Sequence, residues 1–167
     1  MKKRGQAAME FLMTYGWAIL VVLIAIAALA FFGVLNPGRF LPSSCTITPG
    51  ISCEDFKVDY VDGTNDVITL TLRNGMGDDL ASTSVTITEP DQGTSICTLT
   101  CSTGCTGNGT TTMPDGVLTT WTNATCVGGT GVGTSGSKFK GDIIFDYTGV
   151  GSSIPHSKTG SITTQVE

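Results

Sequence analysis

"FLMTYGWAILVVLIAIAALAFFGVL", residues 11–35, decides how this 167-residue chain is organised, because it contains no charged side chain. A run of about 25 uncharged residues exceeds the roughly 20 that a helix needs to cross the hydrocarbon core of a bilayer. The run is apolar on every side, so the predicted helix must be enclosed all round by apolar surroundings. Residues 36–38, Asn-Pro-Gly, predict the end of the helix.

The residues in front of this run predict its orientation. The first ten residues, "MKKRGQAAME", place Lys2, Lys3 and Arg4 ahead of the apolar stretch. Excess positive charge is retained on the cytoplasmic side of a membrane. We therefore expect the N-terminus in the cytoplasm and the residues after Arg39 outside it.

Glu10 is the unusual residue here, since a carboxylate near the hydrocarbon edge is costly and usually has a partner. A secretory signal peptide cut after Ala30 is one interpretation, because "ALA", residues 28–30, fits the small-residue cleavage pattern. The apolar run is longer than the usual signal-peptide core of about 7–15 residues, which argues against it. An uncleaved signal anchor is the second interpretation, and Glu10 disfavours both.

A third interpretation gives Glu10 a partner. "KKRG" followed by "QAAMEFLMTYGWAILVVL" resembles the class III signal peptide of archaeal prepilins in the type IV pilin superfamily. The resemblance covers roughly the first 40 residues. It implies that a prepilin peptidase cuts between Gly5 and Gln6, so that residues 1–5 are the signal and residues 6–38 the mature hydrophobic helix. It also implies that Glu10 neutralises the new amine at Gln6 of a neighbouring subunit.

Beyond Pro42 the hydrophobic period changes from helical to alternating, which indicates strands. Short strands, frequent Gly and Asn turns and no convincing second helix predict an antiparallel β-sandwich over residues 39–167, and thus an α+β chain. "ITLTLRNGMGDDL" followed by "SVTITE" is similar to the immunoglobulin-like heads of archaeal pilins and flagellins. The side chains expected to share inward faces are Phe56, Val58, Tyr60, Ile68, Leu70, Leu72, Val85, Ile87, Ile143, Phe145, Tyr147, Ile162, Thr164 and Val166.

Six cysteines lie beyond the apolar run, an even number that predicts disulfides in an oxidising compartment. A short loop between Cys45 and Cys53 is able to close on itself. Residues 97–126 are predicted to be an irregular insertion held by cross-links, since they contain few apolar residues. Six cysteines allow 15 pairings, which stay open. Zinc is the competing interpretation for Cys97, Cys101, Cys105 and Cys126, but the spacing contains no C-x₂-C pair, and no metal is expected.

The same insertion contains two N-x-[ST] acceptor sequences, at Asn108 and Asn123. Such triplets also arise by chance in threonine-rich sequence. Because the insertion is expected outside the cell, both asparagines are candidate glycosylation sites.

Other motifs are weak indications of chemistry. "GVGTSG", residues 131–136, matches a dinucleotide-binding glycine pattern but leads into a predicted strand instead of a helix. "DYVDGTND", residues 59–66, offers oxygens to calcium, although a hairpin turn explains the same letters. With one histidine, His156, and no nucleophile motif, we expect neither an enzyme nor a cofactor.

These patterns together predict a structural subunit of an archaeal type IV pilus-like surface filament that serves adhesion. Its expected partners are the prepilin peptidase, the membrane before assembly and copies of itself in a helical filament. Nucleic acid is not expected, because the net charge is -5. The precursor is predicted in the cell membrane and the mature protein at the cell surface. The alternative is a minor pilin, or a membrane-anchored surface binding protein that never polymerises.

Overall fold

A computed structural model of the chain describes residues 3–31, 42–63, 65–90, 93–106, 111–123, 125–126 and 132–167. The chain divides into two compact units, Met1–Leu41 and Pro42–Glu167. The first unit contains the apolar helix and the second, which we call the head, contains every strand. An apolar helix followed by an antiparallel β-domain agrees with the predicted α+β class.

Helix α1 spans Lys3–Phe31. It contains no proline and many good helix formers, mainly alanine, leucine and methionine. The Thr14 hydroxyl donates to the Glu10 carbonyl oxygen one turn earlier at 2.8 Å, and the rings of Phe11 and Tyr15 lie 4.6 Å apart. All of its large apolar side chains that the structure describes are exposed. The helix therefore has no apolar core of its own.

Eight strands lie in the part of the head that the structure describes. Each pairs antiparallel with its neighbours in the order β1-β8-β7-β4-β5-β6-β3-β2. Their bounds are β1 Ser44–Ile47, β2 Ile51–Asp59, β3 Val67–Asn74, β4 Leu80–Thr88, β5 Ser95–Thr103, β6 Leu118–Asn123, β7 Lys138–Gly149 and β8 Pro155–Gln165.

Strand β5 turns the corner of this sheet. Its first half pairs with β4, where Leu99 lies opposite Val85. Its second half pairs with β6, where Cys101 lies opposite Trp121, and the register then shifts before Thr103. A bulge of this kind bends a strand and increases its twist, which lets one strand belong to two sheet faces.

The opposite corner brings the two edge strands, β1 and β2, together. The disulfide Cys45–Cys53 joins them. Farther along, the backbone of Glu167 follows β8 and pairs with β2, since its N–H donates to the Val58 carbonyl oxygen at 2.9 Å and its carbonyl accepts from Tyr60 N–H at 3.0 Å. The sheet is consequently barrel-like, and a closed sheet leaves fewer unpaired edge groups.

A glycine permits the close approach of β1 to β8 at this corner. A Cβ added to Gly160 of β8 would collide with the carbonyl oxygen of Thr46 in β1. Glycine is the residue that lets two backbones come this close.

The head core confirms most of the predicted inward faces. Tyr60 is the exception, because β2 ends at Asp59 and the Tyr60 side chain is exposed. Phe56 is half-buried against the core. The other predicted inward side chains are buried, namely Val58, Ile68, Leu70, Leu72, Val85, Ile87, Ile143, Phe145, Tyr147, Ile162, Thr164 and Val166.

The segment predicted as an irregular insertion, residues 97–126, contains more regular structure than expected. Most of β5 and all of β6 lie within it. Met113 and Trp121 are fully buried, and the Trp121 indole N–H donates to Thr119 Oγ1 at 3.0 Å. These two large side chains place the middle of the segment in the head core, so cross-links are not all that orders it.

Candidate functional site

Glu10 is the only charged residue between Gly5 and Phe31, and its side chain is exposed. Gly5 and Gln6 lie in the first turns of α1, so the backbone around the predicted cleavage site is helical. Gln6 and Glu10 are four residues apart, which places their Cα atoms about one turn from each other, or about 6 Å along the axis. The structure thus places both predicted assembly residues at the N-terminal end of one helix.

The C-terminal two thirds of α1, Met13–Phe31, are long and apolar enough to cross a membrane. None of this segment is buried within the chain. A signal sequence meets the same criteria of length and composition, so the criteria identify a signal anchor or a membrane span without choosing between them.

The six cysteines form three disulfides, Cys45–Cys53, Cys97–Cys126 and Cys101–Cys105. Cys97 and Cys126 are buried, and the other four are half-buried. All four sulfurs of the zinc interpretation are therefore used in disulfides, which leaves no thiolate for a metal. Three disulfides indicate that the head matures in an oxidising, extracytoplasmic environment.

Asn123 ends β6, and both the nitrogen and the oxygen of its side-chain amide are hydrogen-bonded. Its Nδ2 donates to the Thr98 carbonyl oxygen at 2.6 Å, and its Oδ1 accepts from both the backbone N–H and the hydroxyl of Thr125, at 2.8 and 2.9 Å. Asn123 and Thr125 of the acceptor triplet are thus hydrogen-bonded to each other, and Asn123 is also bound to β5. The other candidate, Asn108, lies outside the described residues.

The loop between β2 and β3, which was a candidate calcium site, is organised by two aspartates. Asp62 accepts from the backbone and the side chain of Asn65, both at 2.7 Å. Asp66 is buried, and its Oδ1 accepts from the N–H groups of Val61 and Gly63 at 3.0 and 3.1 Å. Both carboxylates therefore bind their own loop, as expected for a turn.

Asp66 Oδ2 is the one buried side-chain oxygen or nitrogen without a hydrogen-bond partner among the described residues. No group of three His, Cys, Asp or Glu side chains in the described part of the head is arranged to hold a metal ion. The loop geometry therefore does not support a calcium site, and sequence alone gave no sign that Asp66 is buried.

A second set of carboxylates lies in the β3–β4 turn and in the segment that precedes β6. Asp115 Oδ1 accepts from Gly77 N–H at 2.9 Å, and Asp79 Oδ1 accepts from Asp115 N–H at 2.8 Å. With Asp78 and Val150 these residues line a shallow depression. The hydrogen bonds tie one turn to another, which is a structural role.

Lys57 binds the C-terminal residue across the corner of the sheet. Its Nζ lies 2.8 Å from Asp59 Oδ1 and 3.2 Å from Glu167 Oε2. The hydrogen bond to Asp59, and then the one to Glu167, raises the pKa of Lys57 above its ordinary value of 10.5. This cluster was not identified from the sequence, because it depends on the pairing of Glu167 with β2.

The remaining motifs have structural explanations. The glycine-rich segment leads into strand β7, and Val132 within it is buried, so the dinucleotide pattern lacks its helix. His156 is exposed at the start of β8 and stacks on Tyr147 with ring centroids 5.4 Å apart. His156 is the only histidine in the sequence, and no nucleophile motif accompanies it.

In comparisons with known proteins, no protein-family model matches the chain and no curated protein matches it in sequence. The resemblance to prepilins therefore depends on the residues around Gly5 and Glu10 themselves. The arrangement that these residues create is an exposed apolar helix with a single carboxylate at one end, attached in sequence to a disulfide-bonded head.

Proposed function

We propose that this protein is a structural subunit of an archaeal type IV pilus-like surface filament and that the filament serves adhesion. The observation that carries the proposal is Glu10, the only charged residue between Gly5 and Phe31 on a helix whose described large apolar side chains are all exposed. A helix of this kind needs an apolar partner on every side. Lipid supplies it before assembly, and copies of the same helix supply it in the filament.

Glu10 would control the register of those copies. A carboxylate and an ammonium group buried separately each cost several kcal/mol, whereas a pair largely offsets that cost. After cleavage by the prepilin peptidase, the amine of Gln6 is the cation available to a neighbouring Glu10. A subunit docked one turn too high leaves both charges unpaired, so wrong registers are disfavoured.

The head belongs to the same proposal as the part displayed outside the cell. Its three disulfides and closed sheet support exposure to an oxidising environment. We assign it to the immunoglobulin-like heads, with the antiparallel pairing and the corner strand β5 as support. The proposal includes no catalytic step, cofactor or nucleic-acid partner. Asn123 and Asn108 remain candidate carriers of glycans on this surface.

The first experiment is the intact mass and N-terminal sequence of the protein taken from its native membrane or filament fraction. The proposal expects a chain that begins at Gln6. A chain that begins at Phe31 would show that α1 is discarded and would exclude a helix-based filament. A chain that begins at Met1 in assembled filaments would remove the prepilin peptidase from the mechanism.

The second experiment replaces Glu10→Gln, which removes the charge and keeps the size of the side chain. We expect normal cleavage after Gly5 and few or short filaments by electron microscopy. Glu54→Gln is the matched control, because it removes an exposed glutamate from the head, where it pairs with Arg73 at 3.2 Å. Normal filaments from the Glu10 variant would exclude the charge pair as the register device.

Antibody to the head distinguishes the major subunit from the alternatives. Label along the whole filament supports the proposal. Label only at filament ends indicates a minor pilin, and label only on the cell envelope indicates an anchored protein that does not polymerise.

A further inference from the structure

The aromatic residues of α1 lie at one end of its apolar stretch. Phe11, Tyr15 and Trp17 fall within seven positions, and no aromatic residue follows until Phe31. Tyr15 and Trp17 are 52% and 69% exposed. Tyrosine and tryptophan are enriched where the hydrocarbon of a bilayer meets its headgroups, because an apolar ring and a polar hydrogen-bonding group are both accommodated there.

Two positions of the helix in a bilayer are compatible with its length. In the deep position, hydrocarbon begins at Phe11 and ends near Phe31, a span of about 30 Å at 1.5 Å per residue. In the shallow position, hydrocarbon begins at Trp17 and takes in the uncharged sequence from there to Leu35, a run of 19 residues. Both runs are close to the roughly 20 residues that a helix needs to cross a hydrocarbon core. Length alone therefore does not choose between them.

Polar groups in the N-terminal half of α1 favour the shallow position. Within the described part of α1, nothing accepts a hydrogen bond from the Tyr15 hydroxyl or the Trp17 indole N–H, so the deep position would bury both without partners. It would also hold the Glu10 carboxylate at the edge of the hydrocarbon. The shallow position places Glu10 about 10 Å before Trp17, among water and headgroups.

We propose that Tyr15 and Trp17 mark the cytoplasmic boundary of the hydrocarbon, and that Glu10 stays outside it until the subunit assembles. This inference rests on the membrane stage of the proposed function. It adds that the Glu10 carboxylate is surrounded by water and headgroups, and is not buried in lipid, before the subunit assembles. Its desolvation would then occur on entry into the filament, at the step where the amine of Gln6 becomes available to it.

Tryptophan fluorescence provides a direct test, because the chain contains only two tryptophans. Trp17 is exposed on α1, and Trp121 is 1% exposed in the head core. The full chain is placed in phosphatidylcholine vesicles whose acyl chains carry bromine close to the headgroup, at mid-chain or near the chain end. The variant Trp17→Phe gives the contribution of Trp121, which is subtracted without altering the head.

A second variant calibrates depth along the same helix. Trp17→Phe combined with Leu23→Trp moves the fluorophore six residues, or about 9 Å, further along α1. We expect the Trp17 emission to lose most intensity with bromine near the headgroup. The shifted tryptophan should lose most with bromine at mid-chain or deeper.

The opposite depth order would overturn the inference. If Trp17 is quenched most by bromine at mid-chain or near the chain end, the deep position holds and Glu10 lies at the hydrocarbon edge, because the deep position puts Trp17 about 9 Å below the boundary. If neither tryptophan is quenched, the helix does not insert into the bilayer. That result would exclude both the inference and the membrane stage of the proposed function. A deep Trp17 in a protein that still forms Glu10-dependent filaments would remove the inference and leave the filament proposal intact.

Discussion

The helix and the head of this chain differ in how far their apolar side chains are buried. In the head, apolar residues of the sheet are buried in one core and three disulfides join its segments. In α1, the large apolar side chains that the structure describes are all exposed. The head is therefore complete within one chain, whereas the helix requires surroundings that the chain does not contain.

The two tryptophans show this difference in burial for a single residue type. Trp121 is enclosed and donates a hydrogen bond to Thr119, whereas Trp17 contacts no core. A mutation that removes either ring has the same chemistry in the unfolded chain. Any difference between the two effects therefore reports the surroundings of the folded residue.

The largest expected effect comes from this pair. Trp121→Ala should lower the free energy of unfolding of the head by about 3–5 kcal/mol, since it leaves a large cavity and removes the hydrogen bond that Thr119 Oγ1 accepts from the indole N–H. Trp17→Ala should change the same quantity by less than about 0.5 kcal/mol. Denaturant titration followed by near-ultraviolet circular dichroism measures both. Equal losses would contradict the division into a self-contained head and a dependent helix.

The disulfides extend the comparison to positions within the head. Cys97→Ala with Cys126→Ala opens a loop of 29 residues, for which the chain-entropy estimate is about 3–4 kcal/mol. Cys101→Ala with Cys105→Ala opens a loop of 4 residues, and the same estimate is about 2 kcal/mol. Thermal unfolding of the two double variants ranks them. The reverse ranking would mean that the short loop braces β5 more than its length implies.

Two exposed valines allow helix and head to be compared under one substitution. Val22 lies near the centre of the predicted span and is 55% exposed, and Val150 is 64% exposed in the β7–β8 turn. Val22→Lys should weaken membrane insertion by about 2.5–3.5 kcal/mol, because it places a charge at the helix centre. Val150→Lys should leave insertion unchanged. The fraction of protein that resists alkaline extraction from membranes measures the difference.

Sequence patterns predicted the helix and those strands that keep the same buried face along their whole length. Residues 11–35 contain no charged side chain, as expected for a helix enclosed on all sides, and Leu70 alternates with Thr69 and Thr71 because strand β3 buries one face. Strand β5 was not predicted from the sequence. Its neighbouring residues Ile96 and Cys97 are both buried, so buried and exposed residues do not alternate along a strand that turns between two sheet faces. A period-2 pattern fails where a strand changes its face.

Pairings between residues far apart in the chain also could not be predicted from the sequence. Six cysteines allow 15 connectivities, and only the folded head brings Cys97 to Cys126. The pairing of Glu167 with β2 likewise joins residues more than a hundred positions apart. Glu10 was identifiable because a lone charge at the edge of an apolar run is costly wherever the helix lies.

The smallest effect concerns the closure of the sheet by Lys57, and it is defined by its pH dependence. Because Asp59 and then Glu167 raise the Lys57 pKa, the charged form stabilises the folded head at every pH below the ordinary value of 10.5, and this contribution disappears as the pH rises through the folded-state pKa. Lys57→Met should therefore destabilise the head at neutral pH and match the parent protein at strongly alkaline pH.

Denaturant midpoints measured from neutral pH to above 10.5 test this pH dependence. Lys140→Met is the control, since it removes an exposed lysine of β7 away from Glu167. Added salt should reduce the Lys57 effect, because both ion pairs are exposed and exposed charges are screened. If Lys57→Met and Lys140→Met show the same alkaline dependence, the backbone pairing of Glu167 with Val58 and Tyr60 closes the sheet without help from the side chain.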